Sequence, residues 1–186
     1  MNNNKALVFV GMPGSGKSIC VEHLTSKGLP SVYFGGITID EVKNRGLEVN
    51  EKNERYVRED IREKEGKGAY AIRILKQIEQ YFEDGNDCVV VDGLYSWTEY
   101  KIFKEALEDR AIIIAVVSPR ETRHNRLENR SIRPIPKTES NSRDYAEIEN
   151  LEKGGPIADA DYYLANETSV DQLIYDLDML TSQLGL

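Results

Sequence analysis

One stretch constrains this chain more than any other: GMPGSGKS, Gly11 to Ser18, directly after the apolar run ALVFV, Ala6 to Val10. The spacing is Gly-x-x-x-x-Gly-Lys-Ser between a buried strand and a helix. Glycines at 11, 14 and 16 let the backbone close around phosphate oxygens, and the following helix turns its positive N-terminal end toward them. The whole loop, Gly11, Met12, Pro13, Gly14, Ser15, Gly16, Lys17 and Ser18, is therefore the candidate nucleotide-binding segment. In this pattern Lys17 neutralises charge on the β- and γ-phosphates and the Ser18 hydroxyl ligates magnesium, which implies ATP and Mg2+ as cofactors.

The rest of the chain carries the rhythm such a loop needs. Short β-branched runs, SVYF (31–34), DCVVVD (87–92), RAIIIAVVS (110–118) and DYYLA (161–165), alternate with helical patterns. These strands lack in/out alternation, which argues for an α/β fold with a parallel sheet covered on both faces. Helix starts are marked at Ser118-Pro119, at Ser96-Trp97-Thr98-Glu99 and at Ser169-Val170-Asp171-Gln172. The last helix places Val170, Leu173, Ile174, Leu177, Leu180 and Leu184 on one stripe, and residues 69–82 show the same period. Two segments break the rhythm. Residues 36–66 are polar and read as a small helical insertion. Residues 131–145, with two prolines and many Ser and Asn, read as a flexible lid. The whole of 1–186 reads as one domain.

A P-loop needs an acid at the end of a neighbouring strand to organise magnesium. Asp92, after three valines, holds that position. Phosphoryl transfer also needs cations around the moving group and exclusion of water. Arg123, Arg126 and Arg130 are spaced for one helix face. From Pro119 to Arg143 seven Lys or Arg stand against three Glu, an excess of four in a chain of net charge −8. A second arginine stripe, Arg55, Arg58 and Arg62, lies in the 36–66 insertion, and Arg73 follows it. An acceptor carrying phosphate needs such groups, although exposed helix ion pairs explain Arg55 and Arg58 equally well.

The composition excludes several classes. A net charge of −8 disfavours nucleic acid as a main partner. No run of 18 apolar residues exists, so no membrane partner is expected, and the location expected is cytoplasmic. Cys20 and Cys88 are far apart without metal-ligand spacing and read as buried thiols. His23 and His124 have no catalytic partner at readable spacing and read as surface residues, while Tyr162 and Tyr163 read as core.

With GMPGSGKS, VVVDG and the arginine-bearing ETRHNRLENR in place, the chain resembles the nucleoside monophosphate kinase superfamily. Within it, dephospho-CoA kinases and adenylate-kinase-related proteins are the most similar. The resemblance implies a P-loop NTPase fold with strand order 2-3-1-4-5, Arg126 and Arg130 near the nucleotide phosphates, and Asn166 near the adenine. It also places Arg62 and Arg73, in IREKEGKGAYAIRIL, on the acceptor side. The chain departs from the pattern where relatives carry Arg after the third strand's Asp-Gly, because Tyr95 stands there. It departs again after the second strand, where Gly36 and Ile39 stand in place of Asp and Arg.

The expected activity is transfer of the ATP γ-phosphoryl to a small nucleotide or nucleotide-like acceptor. Lys17, Asp92, Arg126 and Arg130 are the expected catalytic residues, with Ser18 and Asp92 at the metal. The expected state is a monomer or weak homodimer. The rival is an ATP-binding switch without transfer. A GTP switch ranks below both, because the chain has no NKxD run.

Overall fold

The computed structural model describes residues 4–131 and 134–186. Five strands form one parallel sheet: β1 (Lys5–Val10), β2 (Ser31–Tyr33), β3 (Cys88–Asp92), β4 (Ala111–Val117) and β5 (Tyr162–Ala165). Their order is β2-β3-β1-β4-β5, as expected. The helices are α1 (Lys17–Ser26), α2 (Phe34–Asn44), α3 (Glu51–Glu65), α4 (Ala69–Glu83), α5 (Trp97–Leu107), α6 (Arg120–Asn129), α7 (Lys137–Glu149), α8 (Gly154–Ala158) and α9 (Val170–Gln183).

The apolar strands bury both faces. Ala6, Val8, Val10, Val89, Val91 and Ile113 point into one cluster with Ile74 and Ile78 of α4 and Phe103 of α5. Leu7, Phe9, Val90, Ile112, Ile114 and Val116 point into the other, with Leu24 of α1 and Leu173 and Leu177 of α9. Alternate residues thus feed opposite cores, and each fully buried branched side chain contributes about 1.5–3 kcal/mol. Cys20 and Cys88 are free and buried. Burial pushes their thiols up to about 12 and about 11.

Several expectations change. Phe34 opens α2 instead of closing β2, because its ring is buried against Tyr95 and Phe103. Residues 36–66 are helical as expected, but as two helices, with Asn50 capping α3 by accepting from the Asn53 N–H at 3.0 Å. The expected loop-like lid at 131–145 contains most of α7; Ile132 and Arg133 lie outside the described residues. The Ser- and Asn-rich surface hid an inner face, where Ser140 and Asp144 are buried. Tyr162 and Tyr163 are exposed, at 39% and 53%, because β5 is the sheet edge. Val170 is exposed too, so the buried stripe of α9 begins at Leu173.

Candidate nucleotide and phosphate site

All five strands run parallel, so their carboxyl ends open on one edge of the sheet, where α/β folds bind ligands. Asp92 at the end of β3 is the register partner of Phe9 in β1, one residue from the strand's end. The loop from Gly11 to Gly16 then turns into α1. Gly11 (φ +149) and Gly16 (φ +105) admit no side chain. A Cβ on Gly11 would lie 2.4 Å from Val116 O, and one on Gly16 would lie 2.2 Å from Asn166 Nδ2.

No side chain caps α1 at its N-terminus. Its first amides therefore stay open toward an anion. Lys17 Nζ donates to Gly11 O at 2.8 Å, folded across the loop. Burial lowers the Lys17 ammonium from 10.5 to about 8. Lys153 adds to the fall, while Asp92 and Glu147 oppose it. Burial also raises the Asp92 carboxyl, against the pull of Lys17. Ser15 Oγ, among the described residues, is buried without a hydrogen-bond partner. An orphaned hydroxyl inside an uncapped, amide-rich loop fits a phosphate group. Ser18 is exposed at the start of α1, and with Asp92 at the strand end it fits a magnesium ion held largely by phosphate oxygens and water. No group of three or more His, Cys, Asp and Glu able to hold a metal occurs among the described residues.

The loop is held from behind by polar contacts. Asn166, after β5, donates through Nδ2 to Ser15 O at 2.8 Å and accepts at Oδ1 from Arg126 Nη2 at 3.2 Å. Arg126 Nη1 also donates to Ser118 Oγ at 3.1 Å, and that hydroxyl donates to Asn166 O at 2.6 Å. Ser118 is thus a latch rather than a helix cap; Pro119 holds the N-cap position of α6, with no side-chain cap bond. Arg123 donates to Pro13 O at 3.1 Å and grips Asp144 of α7 with two bonds of 2.9 and 2.8 Å. His124 Nε2 donates to the same carboxylate at 2.9 Å. Burial alone would raise Asp144, but the bonds from Arg123 and His124 outweigh it and hold the carboxyl below its ordinary range.

The structure thus brings Lys17, Asp92, Arg126 and Asn166 around the loop. Both polar groups of the Asn166 side chain are engaged by the protein, in a loop-supporting role. Arg130 is the exposed C-cap of α6, one turn beyond Arg126. Arg62 and Arg73 separate. Arg62 lies 5.0 Å from the Tyr70 ring centroid and lines a cleft of about 470 Å3 between α3 and α7, with Arg55, Arg58 and Arg143. Arg73 pairs with Glu65 and lines a different cleft with Asp40 and Glu41.

Sequence reasoning missed Asp144, Glu147 and Lys153, misread His124 as a surface residue and did not find the partner of His23. His124 is buried on Asp144, and His23 lies 2.7 Å from Asp178 of α9. No local spacing signals these partners, which come from other helices.

Fold and site together define a P-loop protein of the kinase-like type. A family model described as an AAA domain matches residues 7–149. A UPF0200 protein of Thermococcus kodakarensis is 34% identical over 181 residues, covering 96% of this chain and 97% of that protein. The chain belongs to the UPF0200 family. Two solved structures share its fold. One is a sugar kinase from Janibacter, at 15% identity and TM-score 0.61 over 96% of this chain and 95% of that one. The other is a dephospho-CoA kinase from Campylobacter jejuni, at 15% identity and TM-score 0.56 over 98% of each chain. No helix among the described residues is long and apolar enough to cross a membrane.

Proposed function

We propose that this protein transfers the γ-phosphoryl of Mg-ATP to a small anionic acceptor, a nucleotide or a nucleotide-like compound. The observation that carries the reading is the meeting of Lys17, Asp92 and an uncapped α1 at the sheet's carboxyl edge. The kinases that share the fold support it. In the reaction the bond from the γ-phosphorus to the β–γ bridging oxygen breaks. A bond to an acceptor oxygen forms, and ADP leaves. Lys17 and the loop amides bind the phosphates, and Arg126 adds positive charge beside the loop. Magnesium, when bound, supplies charge neutralisation at the phosphate oxygens. The α3–α7 cleft suits the acceptor, because four arginines line it against Glu59 and Glu147. α7, already packed on α6 through the Asp144–Arg123 pair, shields this side of the site from water, which would otherwise take the phosphoryl.

A second reading, an ATP-binding switch without transfer, is favoured by the uncharged run Gly35-Gly36-Ile37-Thr38-Ile39 after β2. Tyr95, packed edge-on against Phe34, likewise brings no cation to the end of β3. The test is ADP formation from Mg-ATP across nucleoside monophosphates, deoxynucleoside monophosphates and dephospho-CoA, with Lys17→Ala as control. Turnover that rises with one acceptor and vanishes in the variant supports a kinase. ATP binding with no acceptor-dependent turnover supports the switch.

A further inference from the structure

Lys153 belongs to no motif, yet it is only 3% exposed. Its ammonium lies 4.9 Å from the Tyr95 ring centroid and bonds to the Glu147 carboxylate. The chain around it is fixed on both sides. The Lys153 N–H donates to Glu147 O at 3.1 Å, and Glu152 just before it sits at φ +54, a conformation a glutamate rarely adopts. Such local strain at a buried lysine favours a functional role. On the other side, α8 is seated on α5. Gly155 lies so close to Trp97 that a Cβ would come within 2.7 Å of its ring. Tyr100 donates to Asp159 at 2.7 Å.

The Tyr95 ring beneath Lys153 is placed just as firmly. The Glu99 carboxylate accepts the N–H groups of Tyr95 and Ser96 at 3.0 Å each, closing the capping box of α5. The Tyr95 hydroxyl folds back over Gly93, where a Cβ would meet it at 2.9 Å. Gly93 follows Asp92, so Lys153 is held above the end of β3, beside the phosphate loop. Among neighbouring charges Lys153 acts on Lys17 most strongly. The two ammonium groups repel, and an anion bound between them turns that repulsion into attraction.

We propose that Lys153 is a second phosphate-binding cation, which exchanges Glu147 for the terminal phosphoryl of the bound nucleoside triphosphate and grips it opposite Lys17. Glu147 is then the resting partner that keeps the lysine paired until the phosphoryl arrives. Glu147 also lines the α3–α7 cleft, lies 3.9 Å from Arg143 and raises the Lys17 ammonium's pKa against burial, which links it to both cleft and loop. The proposal rests on the phosphoryl-transfer reading of the site.

The experiment is calorimetric titration of the full chain with Mg-ATP and with Mg-ADP, for the unaltered protein and for Lys153→Met, Lys153→Arg and Glu147→Gln. Loss of a charged hydrogen bond to the terminal phosphoryl weakens ATP binding by roughly 10- to 100-fold in Lys153→Met. ADP binding changes less than about twofold, because the contacted group is absent. Lys153→Arg restores most of the ATP preference. Glu147→Gln tightens ATP several-fold over ADP. Equal change for both nucleotides, or none, in Lys153→Met overturns the proposal and leaves a purely structural ion pair. Should Lys153→Met fail to fold, Glu147→Gln decides, and no gain for ATP over ADP there overturns it. An unaltered protein that binds neither nucleotide overturns the phosphoryl-transfer reading itself.

Discussion

The loop from Gly11 to Ser18 and the α3–α7 cleft are built from different kinds of contact. On the nucleotide side, Asn166, Arg126, Ser118 and Arg123 hold the phosphate loop through buried or half-buried hydrogen bonds, several to loop carbonyls. On the acceptor side, Arg55 pairs with Glu59 at 2.9 Å, Arg58 with Glu54 at 3.7 Å and Arg143 with Glu147 at 3.9 Å. Arg55 and Arg143 are at least half exposed in these pairs. The Arg55–Glu59 pair is exposed on both sides and contributes little, about 0–1 kcal/mol, so a ligand's phosphate readily displaces it. The loop is thus held by bonds to its own carbonyls, and the arginine cleft by side-chain pairs at its surface. In the proposed reaction the loop is therefore formed before nucleotide arrives, whereas the arginines must exchange partners to hold an acceptor.

The comparison breaks first at Lys17. Lys17→Ala should lower acceptor-dependent ADP formation by roughly 10²–10³-fold, since it removes the cation that binds the transferred group. Retained turnover would move the chemistry away from the loop. The next largest effect tests the rigidity of the nucleotide side. Asp144→Asn leaves the Arg123 guanidinium without its buried carboxylate and should cost about 3–5 kcal/mol of stability in urea unfolding. A loss below about 1 kcal/mol would place that pair with the exposed ones.

A pH series sharpens the contrast further. Lys17 titrates near 8 in the free protein, well below its ordinary value, and phosphate binds the protonated form. Nucleotide affinity should therefore hold below that pH and fall as pH rises through it, by up to about tenfold per unit. Titrations between about pH 7 and pH 9.5, with Lys17→Met as the flat control, check the sign. The smallest effect belongs to the acceptor side. Arg55→Ala should leave the melting temperature and ATP binding unchanged, and raise the KM of an anionic acceptor by about 3- to 10-fold. A large loss of stability there would show that the arginine cleft is structural.

Much of this was legible in the chain itself. The loop, Asp92 and the strand order follow from local patterns and from a resemblance those patterns carry. The capping box at Ser96 and Glu99 formed as written, with both reciprocal bonds present. The histidines, the exposed Tyr162–Tyr163 pair and helix α7 were not legible. His124 lies on a polar stretch of α6 that reads as surface until Asp144 arrives from α7. Tyr163 lies in a strand whose apolar neighbours suggest a core, but only sheet order shows that β5 has no partner on its outer side. Residues 131–145 look like a loop because Pro, Ser and Asn disfavour helix locally, yet α7 takes up 137–145 and packs by its Asp144 on Arg123 and His124.

Local sequence alone placed the Gly-rich turn between β1 and α1, the buried runs of β1, β3 and β4, and the starts of α5 and α9. These are short-range properties, set by glycine's missing side chain, by apolar period and by capping over three or four residues. Tertiary structure alone decided which charges meet. Asn166 reaches Ser15 across 151 positions, and Lys153 reaches Tyr95 from a helix turn with no motif of its own. Such pairings depend on how elements stack at the sheet's edge, and a side chain's partner there is a matter of geometry that no spacing along the chain encodes.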